Sequence, residues 1–196
     1  MDELAPGLRR WTAWHAHWKE AVGAVAVDGP DGLVLVDPIE PPAELRRPEH
    51  VLLTVYWHAR DARSLRPAHV WAGSRSAQPL RNRGVEVTDV ARRDAELPGG
   101  IRAFQTARPA EVVYWVPQHE ALVVGDVLLG AGAKPRPTDA PLRLCPDRWL
   151  GKATHADLRA SLRPLLELPV RRVLVSHGAP VLEDGHRVLD RLLAAT

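Results

Sequence analysis

"LLTVYWHARDA", Leu52 to Ala62, changes character in its middle: an apolar run rich in β-branched and aromatic residues gives way at Ala59 to alanine mixed with charge. The run from His50 to Trp57 predicts a core strand, and Ala59 to Arg66 predicts a helix that Pro67 stops. "HVWAG" (His69 to Gly73) supplies another short strand and completes a β-α-β unit. Strand ends that turn into helices are where layered αβ folds present ligand-binding side chains, so Trp57, His58 and Arg60 become candidates at once.

Outward from this unit the pattern repeats. "AVGAVAVDGPDGLVLVDP" (Ala21 to Pro38) places two apolar runs around an Asp-Gly-Pro-Asp-Gly turn, which predicts a hairpin, and "PPAELRR" (Pro41 to Arg47) a short helix entered through prolines. Strands over Ile101 to Ala107, Glu111 to Pro117 and Ala121 to Leu129 make a meander. Gly130 to Lys152, with Pro135, Pro137, Pro141 and Pro146, predicts a long loop. A helix from His155 to Leu168, capped by Thr154 and kinked at Pro164, precedes a strand from Arg171 to Gly178 and a terminal helix from Gly185 to Ala195. Two strand clusters, each followed by helices, predict two sheets packed face to face with helices outside. That is a four-layer αβ/βα sandwich of the α/β (α+β) class, formed by residues 1–196 as a single domain.

The 196 residues are 45% hydrophobic without an apolar run near the ~18 needed to span a bilayer, so a soluble globular chain is expected and a membrane partner is not. The acidic start "MDELAPG" is unlike a secretory signal, which makes the cytoplasm the expected location. Cys145 is the only cysteine, which excludes an intrachain disulfide and a cysteine-rich zinc knuckle. With 26 basic and 24 acidic residues and the arginines scattered, nothing forms the one-sided stripe that tracks phosphates, so nucleic acid is not an expected partner.

The order of landmarks resembles the metallo-β-lactamase fold superfamily along nearly the whole chain: "GLVLVDP" ending at Pro38, "VLLT" ending at Thr54, "LVVGDVLLG" around Asp126 and "VLVSHG" around His177. The resemblance implies, at these places, Leu-Ile-Asp, then Thr-His-x-His-x-Asp-His, a Pro-Gly-His turn, Gly-Asp and Gly-His, holding one or two metal ions, usually zinc, for hydrolysis, or iron for redox chemistry in some members. Anchored at Thr54, the ligand positions fall on Val55, Trp57, Ala59 and Arg60, none a ligand. A register one residue later gives Tyr56, His58, Arg60 and Asp61, and the Pro-Gly-His histidine falls on Arg108 or Pro109. Of the implied set, Asp126 and His177 survive, and Asp37 matches an aspartate that organises the site's loops.

Two inherited ligands are fewer than the three that a catalytic zinc usually takes from protein, so no metal cofactor is expected; if one binds, its ligands are Asp126, His177 and His58. Arg60 or Arg108 is expected to pair with Asp126 in the metal's place, since a buried carboxylate needs a counter-charge. "WTAWHAHW" (Trp11 to Trp18) leaves two forms open: a strand with His15 and His17 on one face, able to join a relocated site, or a helix whose tryptophans form a plug or lid. Ser176 beside His177 is a poor Ser-His pair, because strand neighbours face opposite ways. Three functions follow. The first is a degenerate, pseudoenzyme-like site that keeps a crevice for a small anionic ligand, with Trp57, Arg60, Arg108, His15 and His17 as binding residues. The second is a hydrolase of ester, lactone, thioester or phosphoester type, using a relocated metal or metal-free acid/base chemistry from His58, Asp126 and His177. The third is a structural or homodimer-forming role for the tryptophan-rich surface.

Overall fold

The computed structural model describes residues 1–65, 68–92 and 95–194. Among them, seven strands in sequence order form the larger sheet: β1 (Asp2–Ala5), β2 (Leu8–His15), β3 (Glu20–Gly29), β4 (Gly32–Val36), β5 (His50–Leu53), β6 (His69–Ala72) and β7 (Asp89–Val90). Pairing is antiparallel from β1 to β4 and parallel from β4 to β7. The smaller sheet takes β8 (Arg102–Gln105), β9 (Val112–Val116), β10 (Ala121–Val124) and, parallel to β10, the late strand β13 (Arg172–Val175). A separate ribbon joins β11 (Leu128–Gly130) to β12 (Leu142–Leu144). The helices are α1 (Ser74–Asn82), α2 (His155–Leu162) and α3 (Gly185–Ala194).

Three apolar cores separate four layers, as the two strand clusters predict. Val25, Val34, Leu52, Tyr114, Val123 and Leu174 fill the space between the sheets. Ala77 and Leu80 of α1 pack with Leu35, Val51 and Leu53 on the outer face of the larger sheet. Leu158 and Leu162 of α2 and Leu189 and Leu193 of α3 cover Val113, Leu122 and Val173 of the smaller one. No described helix is long and apolar enough to cross a membrane.

The departures from expectation cluster where the chain leaves a sheet. β5 ends at Leu53, four residues early, because Thr54 N donates to Asp37 Oδ1 and Thr54 O accepts from Val112 N, which takes both groups off the ladder. The helix expected over Ala59 to Arg66 is replaced by 3₁₀ turns at Tyr56–His58 and Ala62–Ser64, and Arg60 between them holds φ +35°, a left-handed conformation that no right-handed helix continues through. Arg66 and the stop at Pro67 lie outside the described residues. The expected strand from Ala121 to Leu129 breaks at Gly125 to Val127, since Asp126 N and Val127 N donate to the buried Glu111. Pro164 ends α2 in a 3₁₀ segment, Arg163–Glu167, as a ring without an N–H should. "PPAELRR" makes only the turn Ala43–Leu45, the long loop contains β12 and a turn at Asp147–Trp149, and α1 has no counterpart among the expected helices.

Candidate metal centre

Two histidines meet one aspartate at the carboxyl ends of the strands. Asp37 directly follows β4 with φ +49°, anchored by its own N–H to Leu52 O at 3.0 Å. Its Oδ1 accepts from Thr54 N at 2.8 Å, and its Oδ2 accepts from the Thr54 hydroxyl and lies 2.7 Å from His58 Nδ1. His58 is fully buried. On the smaller sheet, His177 follows β13 and sets its Nδ1 2.7 Å from Glu20 Oε1, at the start of β3. A carboxylate on each Nδ1 fixes the ring and directs the other nitrogen: His58 Nε2 lies 3.1 Å and His177 Nε2 3.0 Å from the same atom, Asp126 Oδ1.

Neither approach has the angles of a hydrogen bond, so His58 Nε2 and Asp126 Oδ1 are buried without a partner. An unsatisfied buried polar atom costs about 1–3 kcal/mol, more when charged. The donor set fits a metal ion. Ligand atoms of His58, Asp126 and His177 all lie within 4.8 Å of one another, the one such group among the described residues. Two donors ~2.0–2.1 Å from a tetrahedral ion stand roughly 3.3 Å apart, close to the separations here. The other aspartate oxygen is already used: Asp126 Oδ2 accepts from Trp57 Nε1 at 2.6 Å and lies 3.5 Å from Arg108 Nη1.

The charges are strongly coupled. Burial alone would raise the Asp126 carboxyl, but the His58 and His177 imidazoles hold it well below the usual range. Burial opposes a charge on His177, yet Asp126 and Glu20 overrule it and lift its pKa to about 9. Glu111, fully buried and next to Asp126, is raised to about 7 against the opposing pull of Arg108. Gly125 is required here, since a Cβ would sit 2.5 Å from Thr54 Oγ1 and 2.8 Å from Glu111 Oε1.

A crevice of about 420 Å³ opens onto Asp126 and His177, walled by Trp18, Trp57 and Trp149 and edged by Arg108 and Lys134. A larger hollow of about 630 Å³ lies at the opposite end of β5 and β6, among His50, Trp71, Leu97 and Arg102, away from the buried ionisable cluster. Of the residues singled out in sequence, His58, Asp126 and His177 converge, and Trp57 and Arg108 line the crevice. Arg60 does not pair with Asp126. Its guanidinium donates to Gly23 O at 3.0 Å, Asp37 O at 2.8 Å and Ser176 Oγ at 2.6 Å, so its donors serve two backbone carbonyls and the Ser176 hydroxyl. His15 and His17 do not share a strand face, because β2 ends at His15; His15 stacks on Trp18 at 4.0 Å, and His17 is exposed in the following turn.

Trp18, from the stretch expected to form a plug or lid, lines the crevice, while Glu20, Glu111, Trp149 and Lys134 are the site residues that sequence reasoning misses. Glu111 carries a signal, a lone carboxylate heading the otherwise apolar "EVVYWV". Glu20 carries none, since its partner His177 is 157 residues away.

No protein-family model matches the chain, and no curated protein matches it. Solved structures do. A metallo-β-lactamase from Erythrobacter litoralis, with β-mercaptoethanol in its active site, aligns over 98% of this chain and 93% of its own at 18% identity and TM-score 0.70. The metallo-β-lactamase FIM-1 from Pseudomonas aeruginosa, in a mono-zinc form, covers 96% and 92% at 12% identity and TM-score 0.62. TTHA1623, in a di-iron-bound form, covers 93% and 98% at 21% identity and TM-score 0.59. The four layers, the order of the strands and these likenesses agree: the chain has the metallo-β-lactamase fold.

Proposed function

We propose that this protein is a mononuclear metal-dependent hydrolase of small anionic substrates, with His58 Nε2, Asp126 Oδ1 and His177 Nε2 as the ligands. The observation that carries this reading is the pair of imidazoles, each clamped at Nδ1 by a carboxylate and each facing one carboxylate oxygen that no hydrogen bond satisfies. A divalent ion held there supplies Lewis acidity toward a carbonyl or phosphoryl oxygen and makes water a better nucleophile. The chain's own residues do the rest. Asp37 and Glu20 orient the rings, Trp18, Trp57 and Trp149 exclude bulk water, and Arg108 and Lys134 attract the anionic end of the substrate.

Elemental analysis and calorimetric titration with Zn²⁺, Mn²⁺ and Fe²⁺ test the metal. A panel of anionic ester, lactone, thioester and phosphoester substrates, with and without chelator, tests the reaction. One equivalent of metal and chelator-sensitive turnover are expected; metal-free protein that takes up none sinks the proposal. A second reading, a metal-free crevice that binds a small anion, draws on the raised pKa of His177: a protonated imidazole between Asp126 and Glu20 supplies positive charge without an ion. Ligand-induced stabilisation with no metal uptake and no turnover would favour it.

A further inference from the structure

Asp126 gives its two oxygens to different surroundings. Oδ1 faces the imidazoles, while Oδ2 accepts from the Trp57 indole at 2.6 Å and lies 3.5 Å from Arg108 Nη1. The same guanidinium nitrogen lies 3.2 Å from Glu111 Oε2, and its plane of charge sits over the Trp57 ring, 4.2 Å from the centroid. Glu111 is fully buried and commits Oε1 to the N–H groups of Asp126 and Val127. Two buried carboxylates side by side stay ionised together only with a cation between them.

We propose that Arg108, held against Trp57, is a built-in second cation of this centre: it fills the place between Asp126 Oδ2 and Glu111 Oε2 that a second metal ion would take, and so fixes the metal stoichiometry at one. The proposal rests on the metal-centre reading above. A guanidinium keeps its charge at every ordinary pH and cannot dissociate, so it satisfies both carboxylates permanently and repels a further divalent ion. Trp57 is a positioning residue. Its indole N–H occupies Oδ2, and its ring is a platform on which a cation rests favourably.

The test is metal stoichiometry, by dialysis against Zn²⁺ or Co²⁺ followed by elemental analysis, paired with melting temperature. Wild type and Arg108→Lys should hold one equivalent. Arg108→Gln, which leaves Glu111 and Asp126 without their cation, should melt lower, accept a second equivalent with affinity raised on the order of tenfold or more, and recover melting temperature as that ion binds. If Arg108→Gln does not fold, Arg108→Met, which removes the charge and keeps the length of the side chain, should take up the second ion instead. A folded Arg108→Gln or Arg108→Met that stays at one equivalent overturns the proposal, as does wild type holding two. Wild type without metal beside an Arg108→Gln that gains one overturns the metal-centre reading and supports the role of Arg108; none in either overturns both.

Discussion

The two imidazole arms of the centre are built alike and seated differently. In the first, His58 and Asp37 are both buried, and Asp37 is itself held by the Thr54 amide and hydroxyl and by its own amide to Leu52. In the second, His177 leans on Glu20, a half-buried residue at the end of a hairpin strand that also lines the crevice and accepts from Lys134 N at 3.3 Å. One arm is a piece of the core that carries a proposed ligand atom. The other is a wall of the crevice that carries one. Division of this kind lets a site be rigid where ring geometry is set and open where a small molecule must enter.

The largest effect should come from the atom the arms share. Asp126→Ala strips the acceptor from Trp57 Nε1, the counter-charge from His177 and Arg108 and the carboxylate that faces His58, so it should cost ~3–5 kcal/mol in denaturant unfolding and abolish metal uptake. A variant as stable as wild type would mean that the arms do not depend on their common carboxylate.

The arms themselves should separate next. Asp37→Ala leaves Thr54 N, the Thr54 hydroxyl and His58 Nδ1 without their acceptor and puts alanine at φ +49°, for a loss of about 3 kcal/mol. Asp37→Asn, better suited to that backbone, should keep most of the stability and weaken metal binding roughly 10- to 100-fold. Glu20→Ala should weaken metal binding on the order of tenfold while costing under about 1 kcal/mol, because water already screens the partly exposed Glu20. Equal stability losses for Asp37→Ala and Glu20→Ala, measured side by side, would erase the distinction between core arm and wall arm.

The first arm is also the one that sequence displays better. Asp37 closes a β-branched run before a proline, and His58 ends another, so both stand at strand ends that the alternation and turn residues mark. The four layers follow from the same marks. What sequence conceals is the direction of side chains after a strand stops. Counting from Thr54 puts Trp57 at a ligand position and leaves His58 off the list, but the 3₁₀ turn Tyr56–His58 sends the His58 ring to Asp126 and the Trp57 indole N–H to the same carboxylate. Left-handed φ at Asp37 and Arg60 and the diversion of backbone donors to Glu111 are tertiary events, decided by partners far away in the chain. The second arm depends on such a partner throughout: Glu20 has no local pattern and acquires its role only when β3 meets the end of β13.

The smallest effect concerns the hairpin tip that leads into the second arm. His15 stacks on Trp18 at 4.0 Å, and Trp18 in turn packs at 5.2 Å from His177 and 5.6 Å from His58, so the tip touches both rings through one indole and adds nothing to the three proposed ligands. Replacing His15 and His17 together by alanine removes a stacked pair worth about 0.5–1.5 kcal/mol and leaves all three proposed ligands and both Nδ1 carboxylates in place. Metal affinity should stay within about twofold, well short of the 10- to 100-fold loss that follows when an orienting partner is removed. Titration calorimetry on the double variant decides it: a loss of tenfold or more would make the tip a third arm, and the contrast between one core arm and one wall arm would have to be redrawn around Trp18.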